Sequence, residues 1–347
     1  MYQPNISSLK LPVPSSGKFL LLILFNFFFL SPFAQDLVSE HGQLKVNGTY
    51  LEDVKNTKVI LRGVSLGWSN EHSRFYNSAT VGWLKKDWKL SVVRATVGIE
   101  PAGGYLDAPL FTMNQVCQVI DGAIKNDVYV IVAWHCNNMH LSQSIDFFTS
   151  IAKQYGNKPN IIYEIFTEPD NETWPELKVY YTELIKAIRA CDKDNIILIS
   201  APYWSQNIRE VADDPLTGFS NIMHTVHFCV GESGQKLRNE CSYAIGKGIP
   251  VMVSDHLLTD CSCDGKLYAD EWEKWLSWFD ENYISWMAWS ISDKKEKCSM
   301  LLSSAGSNGS WKAEDLNESG KLVRNRLIHY SQTSQKQPSK NQLYDKK

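Results

Sequence analysis

Short strand-like segments alternate with longer helix-like segments along most of the chain, and this alternation sharply limits the possible folds. The strand candidates are mostly rich in Val and Ile, as strands buried on both faces should be, and they lie at 59–63, 91–98, 128–135, 160–168, 195–200, 221–228, 250–255 and 284–291. Helix candidates separate or follow them at 81–88, 113–126, 141–155, 175–191, 204–213, 234–247, 270–282 and 318–330. Eight strand–helix units in about 290 residues predict an α/β fold, a single (β/α)8 TIM barrel.

A doubly wound open sheet of similar content is the alternative, and two observations favour the barrel. No Gly-rich phosphate-binding loop follows the first strand candidate. Polar or aromatic side chains recur where the strand candidates end, at Arg94, Trp134, His135, Glu168, His227, Asp255 and Trp289. In a barrel these ends converge on one face, which is where the active sites of this fold lie.

The N-terminal segment, residues 1–34, has the pattern of a secretory signal peptide. Lys10 and Lys18 precede an apolar run at 19–30, and Ala34 provides a small residue before the cut. The run is short for a membrane span, so an uncleaved anchor is the less favoured alternative. We therefore predict a secreted, extracellular protein with no membrane segment in its mature form.

Two further segments flank the region of alternating strands and helices. Residues 42–51 have the pattern of a β-hairpin turned at Asn47-Gly48, a strong two-residue turn signal. Such a hairpin could close the bottom of the barrel, and the alternative is an ordinary surface loop ahead of the first core strand. The polar residues 331–347 are predicted to form a disordered tail. The predicted organisation is thus a leader, one catalytic-type barrel over 35–330, and a tail.

Composition and charge narrow the class of function. The part after the leader holds eight Cys, an even number that predicts disulfides in an oxidising compartment without revealing their pairing. A formal net charge of −3 without a long Lys/Arg run gives no sign of nucleic-acid binding, and no paired CxxC motifs indicate a structural zinc site. The twelve Trp are assigned mostly to the core, with a few expected in a cleft, where such rings often stack on sugars or flat apolar ligands. Sequons for N-glycosylation, which fit a secreted protein, begin at Asn47, Asn171, Asn308 and Asn317.

Two acidic residues at strand ends are the candidates for chemistry. Glu168 follows an apolar segment interrupted by one acid, Glu164, and it precedes Pro169. Because a proline favours an extended residue before it, we expect Glu168 at the last extended position of the strand, with its carboxylate turned into a cleft as a general acid/base. A surface Glu before a turn is the alternative. Asp255 ends the seventh strand candidate, across the barrel mouth, and two facing carboxylates are the usual equipment for hydrolysing a glycosidic bond.

Collinear motifs between about residues 42 and 330 resemble glycoside hydrolase family 5, especially its secreted endo-β-1,4-glucanases (cellulases) from bacteria and plant-associated nematodes. The matching segments are VILRGVSLGWS at 59–69, FYN at 75–77, DWKLSVVRATVGIEPAGGYL at 87–106, VYVIVAWH at 128–135, YGNKPNIIYEIFTEP at 155–169, WSQNIREVADDPLTG at 204–218, HTVHF at 224–228 and ISWMAWSISDKKE at 284–296. The resemblance implies a monomeric hydrolase that acts on a β-glucan polysaccharide and needs no metal or organic cofactor.

Residue by residue, the resemblance implies that Glu168 is the catalytic acid/base and Asp255 the nucleophile. Arg94 matches an arginine that supports the nucleophile. The other matched positions line the substrate cleft, and they are His135, Thr167, His227, Trp289, Trp68 and Trp204.

Several residues depart from the family pattern. Thr167 stands where the family has Asn, Asp255 where it has Glu, and Cys229 where an aromatic hydroxyl is expected. Ala133 and Ala288 are further changes. Asp is one methylene shorter than Glu, and a displacement of about 1 Å can cost about 10²-fold in rate. Thr lacks the two amide groups of Asn, and a thiol is a weak hydrogen-bond partner.

These changes predict a hydrolase whose activity is impaired. The alternative is a catalytically inactive relative that binds β-glucan without cleaving it. A third interpretation, a structural or interaction protein with a vestigial cleft, is disfavoured by the retained residues Glu168, Arg94, His135, His227 and Trp289.

Overall fold

The computed structural model describes residues 37–334, and within this range eight parallel strands close into a barrel. The strands in chain order are β1 (Lys45–Asn47), β2 (Tyr50–Glu52), β3 (Arg62–Leu66), β4 (Val92–Gly98), β5 (Tyr129–His135), β6 (Ile161–Thr167), β7 (Ile196–Ser200), β8 (Ile222–Cys229), β9 (Val251–Leu257) and β10 (Trp286–Ile291). Strands β3 to β10 follow chain order around the barrel, and β10 pairs with β3 to close it. The predicted (β/α)8 TIM barrel is confirmed. The predicted signal peptide, 1–34, and residues 335–347 of the predicted tail lie outside the described residues.

Helices surround the barrel and fill the connections between its strands. They are α1 (Leu37–His41), α2 (Ser78–Trp83), α3 (Pro109–Lys125), α4 (Leu141–Tyr155), α5 (Trp174–Arg189), α6 (Pro202–Ser205), α7 (Ile208–Asp213), α8 (Gln235–Gly246), α9 (Ala269–Asn282) and α10 (Glu318–Ser334). A π-helical turn, Leu84–Trp88, continues α2, and 3-10 turns lie at Ser73–Phe75 and Ala313–Asp315. Within residues 37–334, none of the helices is both long and apolar enough to cross a membrane.

The barrel strands are apolar because both of their faces are buried. Their outward side chains join the helices in one large apolar cluster. Their inward side chains fill the lower half of the barrel, and they include Val92, Tyr129, Ile131, Ile162, Ile196, Leu198, Met223, Met252 and Met287. Each fully buried aliphatic side chain of this kind contributes roughly 1.5–3 kcal/mol. Further up the strands the inward positions become polar, and this change of chemistry places the candidate site at the carboxyl end of the barrel, called the mouth below.

The hairpin formed by β1 and β2 lies under the amino ends of the strands, as predicted. Val46 donates its backbone N–H to Asn221 Oδ1 over 3.0 Å, and Gln43 Nε2 donates to Asn195 Oδ1 over 3.0 Å. Asn195 and Asn221 directly precede β7 and β8. Leu44 and Leu51 of the hairpin region belong to the lower apolar cluster. The hairpin therefore closes the bottom of the barrel.

The first barrel strand begins later than predicted, at Arg62 instead of residue 59. The reason is that the apolar residues before it serve the hairpin. Val59 donates its N–H to Leu51 O over 2.8 Å, and Lys58 forms an antiparallel bridge with Glu52. This competing pairing is long-range, so the run of apolar residues alone did not reveal it.

Two helix boundaries also differ from the prediction. The helix expected over 204–213 is split, because Tyr203, Trp204 and Ser205 have positive φ angles of 53°, 52° and 61°, which a right-handed helix does not accept. Regular helix resumes at α7. At the C-terminal end, α10 extends to Ser334, four residues beyond the predicted end and into the segment expected to be disordered.

A cleft of about 630 Å³ opens on the lower side of the barrel. Its walls come from α1, from the segments that lead into β3 and β4, and from the last turns of α10. Leu37 and Thr333, near the two ends of the described range, both line it. This cleft lies at the amino ends of the strands, away from the mouth.

Candidate active site

The centre of the mouth is a fully buried arginine. Arg94 on β4 donates from Nε to Glu164 Oε2 over 2.6 Å and from Nη1 to Asp255 Oδ2 over 2.7 Å. Burial acts to lower the pKa of this guanidinium, but the two carboxylates raise it further, so its pKa lies above the usual range and the charge is kept. Arg94 thus joins β6 to β9 across the barrel interior, as expected of the residue that supports Asp255.

Glu164 is a functional residue that the sequence analysis did not include in the site. It lies on β6, is fully buried, and accepts hydrogen bonds from Arg94 and from Ser254 Oγ, the latter over 2.7 Å. Its Oε1 is also 3.2 Å from His227 Nε2. Burial acts to raise the pKa of this carboxyl, but Arg94 and His227 lower it to about 2. A single acid within an otherwise apolar strand was the signal that could have identified it.

His227 on β8 connects this buried carboxylate to the candidate acid/base. Its Nδ1 is 3.0 Å from Glu168 Oε1, and its Nε2 is 2.7 Å from Ser254 Oγ. Burial acts to lower the pKa of the imidazole, but hydrogen bonds to Glu164 and Glu168 raise it to about 9. At neutral pH His227 is therefore a cation that donates from both ring nitrogens.

Glu168 lies at the mouth, immediately after β6. Its side chain is 31% exposed, so the carboxylate faces the opening. His135 Nε2 lies 3.5 Å from its Oε2. Burial raises the pKa of the carboxyl, but His135 and His227 outweigh it and hold the pKa well below the usual range. The position fits the expected acid/base, while the surrounding cations favour its ionised form.

The expectation that Glu168 is extended was wrong. Its φ is +56°, a left-handed conformation that costs a non-glycine residue about 1–3 kcal/mol. Tertiary contacts override the local preference set by Pro169. His227 holds the carboxylate, and the Pro169 carbonyl accepts a hydrogen bond from the Trp204 N–H over 2.8 Å. The chain therefore turns one residue earlier than the proline rule predicts.

Asp255 lies within β9, two residues before the strand ends, and its side chain is 4% exposed. It is the register partner of His227 on the neighbouring strand. Burial, which the Glu168 charge reinforces, raises its pKa to about 6, although Arg94 and His227 oppose the shift. The register between β8 and β9 shifts just before Asp255. Two consecutive residues of β9 therefore both reach the barrel interior, where Ser254 bonds to Glu164 and Asp255 bonds to Arg94.

Aromatic rings line one side of the mouth. The ring centroid of His135 is 5.0 Å from that of Trp68 and 6.4 Å from that of Trp289. Trp204 lies apart from this group, with 55% of its surface exposed, but its backbone is hydrogen-bonded to Pro169 beside Glu168. The structure thus brings two of the three expected tryptophans together and places the third at the rim.

Some buried polar atoms at the mouth have no hydrogen-bond partner among residues 37–334. They are Arg94 Nη2, His135 Nδ1, Thr167 Oγ1 and Asp255 Oδ1. Thr167 is fully buried and is the register partner of His135. Because buried polar atoms are normally paired, this set stands out as a group of unsatisfied polar atoms at the mouth.

Cys229, which departs from the family pattern, and His256 have unexpected surroundings. Cys229 is not a thiol, because it forms a disulfide with Cys261. His256, which follows Asp255, points away from the mouth. It accepts a hydrogen bond from Trp272 Nε1 over 2.9 Å and stacks on Phe228 in the outer layer, where burial lowers its pKa to about 3. Neither side chain can replace the lost contacts to Asp255.

The remaining cysteines are only partly paired. A second disulfide joins Cys263 to Cys298, whereas the other cysteines of the described range are free, and they are Cys117, Cys136, Cys191 and Cys241. Cys263, Cys298 and Glu296 place potential metal-ligating atoms close together. Because metals bind thiolates and both sulfurs are in the disulfide, this group does not form a metal site.

Comparisons with known proteins agree with this geometry. Endoglucanase Z of Dickeya dadantii (strain 3937) is 38% identical over 287 residues, which cover 81% of this chain and 65% of that protein. An endoglucanase of Clostridium saccharobutylicum is 36% identical over 301 residues, covering 85% of this chain and 67% of that protein. This chain therefore spans about two thirds of the length of these curated relatives.

Solved structures share the fold, and nearly the whole of each solved chain superposes on this one. A chain from Cytophaga hutchinsonii superposes with a TM-score of 0.84 at 38% identity, covering 86% of this chain and 98% of that one. The catalytic domain of Thermobifida fusca endoglucanase Cel5A (E5) gives a TM-score of 0.80 at 28% identity, covering 84% of this chain and 99% of that one. The sequence model of the family Cellulase (glycosyl hydrolase family 5) matches residues 52–295. The chain belongs to glycosyl hydrolase family 5.

Proposed function

We propose that this protein is a glycoside hydrolase of the endo-β-1,4-glucanase type, which hydrolyses β-glucan with two carboxylates. The observation that carries the proposal is a pair of carboxylates at the mouth, Glu168 and Asp255. His227 is hydrogen-bonded to Glu168 and is the register partner of Asp255, and Arg94 donates a hydrogen bond to Asp255. Two carboxylates at one opening, one for proton transfer and one for attack or stabilisation, are the equipment of glycoside hydrolysis. The names of the curated relatives, which are endoglucanases, support the substrate class.

In the proposed reaction Glu168 donates a proton to the leaving oxygen and later takes one from water. Asp255 presents Oδ1, the oxygen without a partner among residues 37–334, to the anomeric carbon, while Oδ2 stays on Arg94. Trp289 and Trp68 offer faces for sugar stacking beside His135. The unpaired polar atoms of Thr167 and His135 are placed to bind sugar hydroxyls.

The charges in the site keep most of the enzyme out of the protonation state that the reaction needs. The reaction needs Glu168 protonated and Asp255 ionised, yet the two histidines lower the pKa of Glu168 and burial raises that of Asp255 to about 6. This order is the reverse of the one that general acid catalysis prefers. It supports the expectation of slow turnover, in addition to the shortened Asp255 and the altered Thr167.

The test is release of reducing ends from a soluble cellulose derivative, with a parallel fall in its viscosity to show internal cleavage. The matched control is Glu168→Gln, which keeps the shape of the side chain and removes the acid. We expect slow release by the wild type and at least about 10²-fold less by the variant. Equal release by both proteins, or none by either, would contradict hydrolysis, and retention on the same polymer without release would support the inactive glucan-binding alternative.

We also propose that the protein is secreted, that residues 1–34 are a cleaved leader, and that 35–330 act as one monomeric catalytic unit. The two disulfides support an oxidising compartment. Asn47, Asn171 and Asn308 are exposed and are the proposed glycosylation sites. Asn317 is proposed to stay unmodified, because its Nδ2 donates to Glu296 O over 3.1 Å. Mass spectrometry and light scattering of the secreted protein test the mature start, the occupied sites and the monomer.

A further inference from the structure

Two disulfides lie close together in the chain on one side of the mouth. Cys229, the last residue of β8, is bonded to Cys261 in the loop after β9. Two residues further on, Cys263 is bonded to Cys298 in the segment after β10. We call these four cysteines the disulfide belt. The belt therefore links the segments that follow three neighbouring barrel strands, β8, β9 and β10.

The first bridge lies directly above the residues proposed to act in catalysis. Cys229 is two residues beyond His227 on the same strand, so its side chain points to the same, inner face. Its register partner is Leu257, which is two residues beyond Asp255 on β9. Cys229 is 7% exposed, so the bridge is largely buried at this position. The bridge thus ties the end of the strand that carries His227 to the loop that follows the strand of Asp255.

The second bridge reaches the strand that carries the aromatic floor of the site. The backbone carbonyl of Cys298 accepts a hydrogen bond from the N–H of Ser290 over 3.3 Å, and Ser290 directly follows Trp289. The carbonyl of Cys263 accepts from the N–H of Lys297 over 2.7 Å. Through these contacts the belt runs from the strand of His227 to the backbone beside Trp289.

Asp255 has few side-chain restraints of its own. Only its Oδ2 is hydrogen-bonded within residues 37–334, to Arg94, and its neighbour His256 is directed into the outer layer. The resemblance to family 5 leads one to expect an aromatic hydroxyl at position 229, where this chain has a bridged cysteine. The disulfide at position 229 restrains the backbone covalently, in place of the hydrogen bond that an aromatic hydroxyl would have made.

We propose that the disulfide belt is a positioning element, in which Cys229–Cys261 holds Asp255 and Cys263–Cys298 holds Trp289 at their working places in the mouth. The inference rests on the proposed hydrolase function. It makes activity depend on the oxidised state of these four cysteines. The free cysteines of the described range have no part in it, since none of them is bridged to the mouth.

The experiment is reduction of the purified wild-type protein with a water-soluble phosphine. The phosphine attacks one sulfur and the other leaves as a thiolate that takes a proton. Water then releases the second thiol and leaves the phosphine oxide, so the disulfide gains the two electrons that phosphorus loses. Hydrolysis is measured well below the melting temperature of the reduced protein, with circular dichroism to confirm that the barrel is intact.

The expected result is a loss of about 10- to 100-fold in kcat/KM on reduction, the scale of a misplacement of about 1 Å, and recovery on reoxidation. Two double variants each remove one bridge. Cys229→Ser with Cys261→Ser should lower kcat by releasing Asp255, and Cys263→Ser with Cys298→Ser should raise KM by releasing Trp289. Neither bridge variant responds to the phosphine as the wild type does. The control variant Cys191→Ser, at an exposed free cysteine, keeps both the activity and its sensitivity to reduction.

A purely structural role would give a different result. Reduction would then lower the melting temperature but leave kcat and KM unchanged in the intact barrel, and this outcome overturns the proposal. Cys229→Tyr combined with Cys261→Ser gives a second test, because a phenol at this position should restore part of the lost kcat, whereas Cys229→Phe should not.

Failure of the proposed function has its own signature. If the oxidised wild type releases no sugar, the hydrolase proposal fails, and the belt is judged by binding of a cello-oligosaccharide, followed through tryptophan fluorescence. Weaker binding after reduction supports positioning of Trp289, whereas an unchanged Kd overturns it.

Discussion

Replacing Glu164 by Gln removes one charge from a fully buried network while preserving the shape of the side chain. Arg94 and His227 together lower the pKa of Glu164 from 4.5 to about 2, a difference that corresponds to about 3 kcal/mol at about 1.4 kcal/mol per pKa unit. Breaking a buried ion pair on one side costs a similar amount, about 3–5 kcal/mol. We therefore expect Glu164→Gln to lower the free energy of unfolding by about 3 kcal/mol at neutral pH.

Urea unfolding measures this change, and the chain offers a matched control. Glu183 is paired with Lys186 on the surface over 2.9 Å, with side chains 51% and 60% exposed. Glu183→Gln makes the same chemical change in an exposed pair and should cost less than about 0.5 kcal/mol. The two variants differ mainly in burial, so their difference isolates the contribution of the interior network.

The effect also has a defined dependence on pH. Because the folded-state pKa of Glu164 is lowered, its contribution is fully present above about 4.5 and is lost as the pH falls toward about 2. The raised pKa of His227 means that its contribution is present below 6.5 and is lost as the pH rises through about 9. The gap between wild type and Glu164→Gln should therefore be largest between about pH 4.5 and 6.5. A gap no larger than that of Glu183→Gln, or one that persists undiminished at pH 2, would refute the argument.

Three further outcomes follow from the site. Asp255→Glu, alone or with Thr167→Asn, should raise kcat by restoring reach and a sugar contact, and no gain in either variant would show that these changes are not the main defect. The rate should fall as the pH increases through about 6, because the productive form needs Glu168 protonated while Asp255 is ionised, and its fraction drops once the pH exceeds the raised pKa of Asp255; a rate that rises there would contradict these roles. Trp204→Ala should raise KM for long glucans about 2- to 10-fold through lost stacking, whereas Tyr283→Ala, at the opposite end of the barrel, should not change it.

The barrel was predictable because its signal is local and repeated. Each core strand is a short apolar run, and each is followed by a helix, so an error at one boundary does not alter the architecture. The boundaries failed where a distant partner decides the pairing. Val59 looked like the start of a core strand, yet it bonds to Leu51 in the hairpin, and no local pattern distinguishes these two uses of an apolar residue.

The site was predictable as a list of residues but not as a network. Motif matching placed Arg94, Glu168, His227 and Asp255 together, and the structure connects all of them. It did not place Glu164 among them, because the meaning of a buried acid depends on which cations face it across the interior. The left-handed Glu168 was missed for the same reason, since contacts from other strands override the preference of a residue before proline.

The disulfide pairing and the direction of individual side chains likewise could not be predicted from the sequence. Eight cysteines allow many pairings, and here those at the mouth are bridged while four others remain free. Cys229 was interpreted as a thiol that is a weak hydrogen-bond partner, whereas its sulfur is bonded to Cys261. The direction of His256 depends on the register shift at Asp255, which only the paired strands reveal.

The cleft on the lower side has a practical consequence for how the molecule can be handled. Leu37 and Thr333 both line it, so the two ends of the described range emerge beside each other, at the pole opposite the mouth. A fusion partner, a fluorescent label or a solid support attached at either of these points leaves the approach to Glu168 clear. The same arrangement suits single-molecule tracking on an insoluble fibre, since a tether at this pole holds the mouth toward the fibre rather than toward the tether.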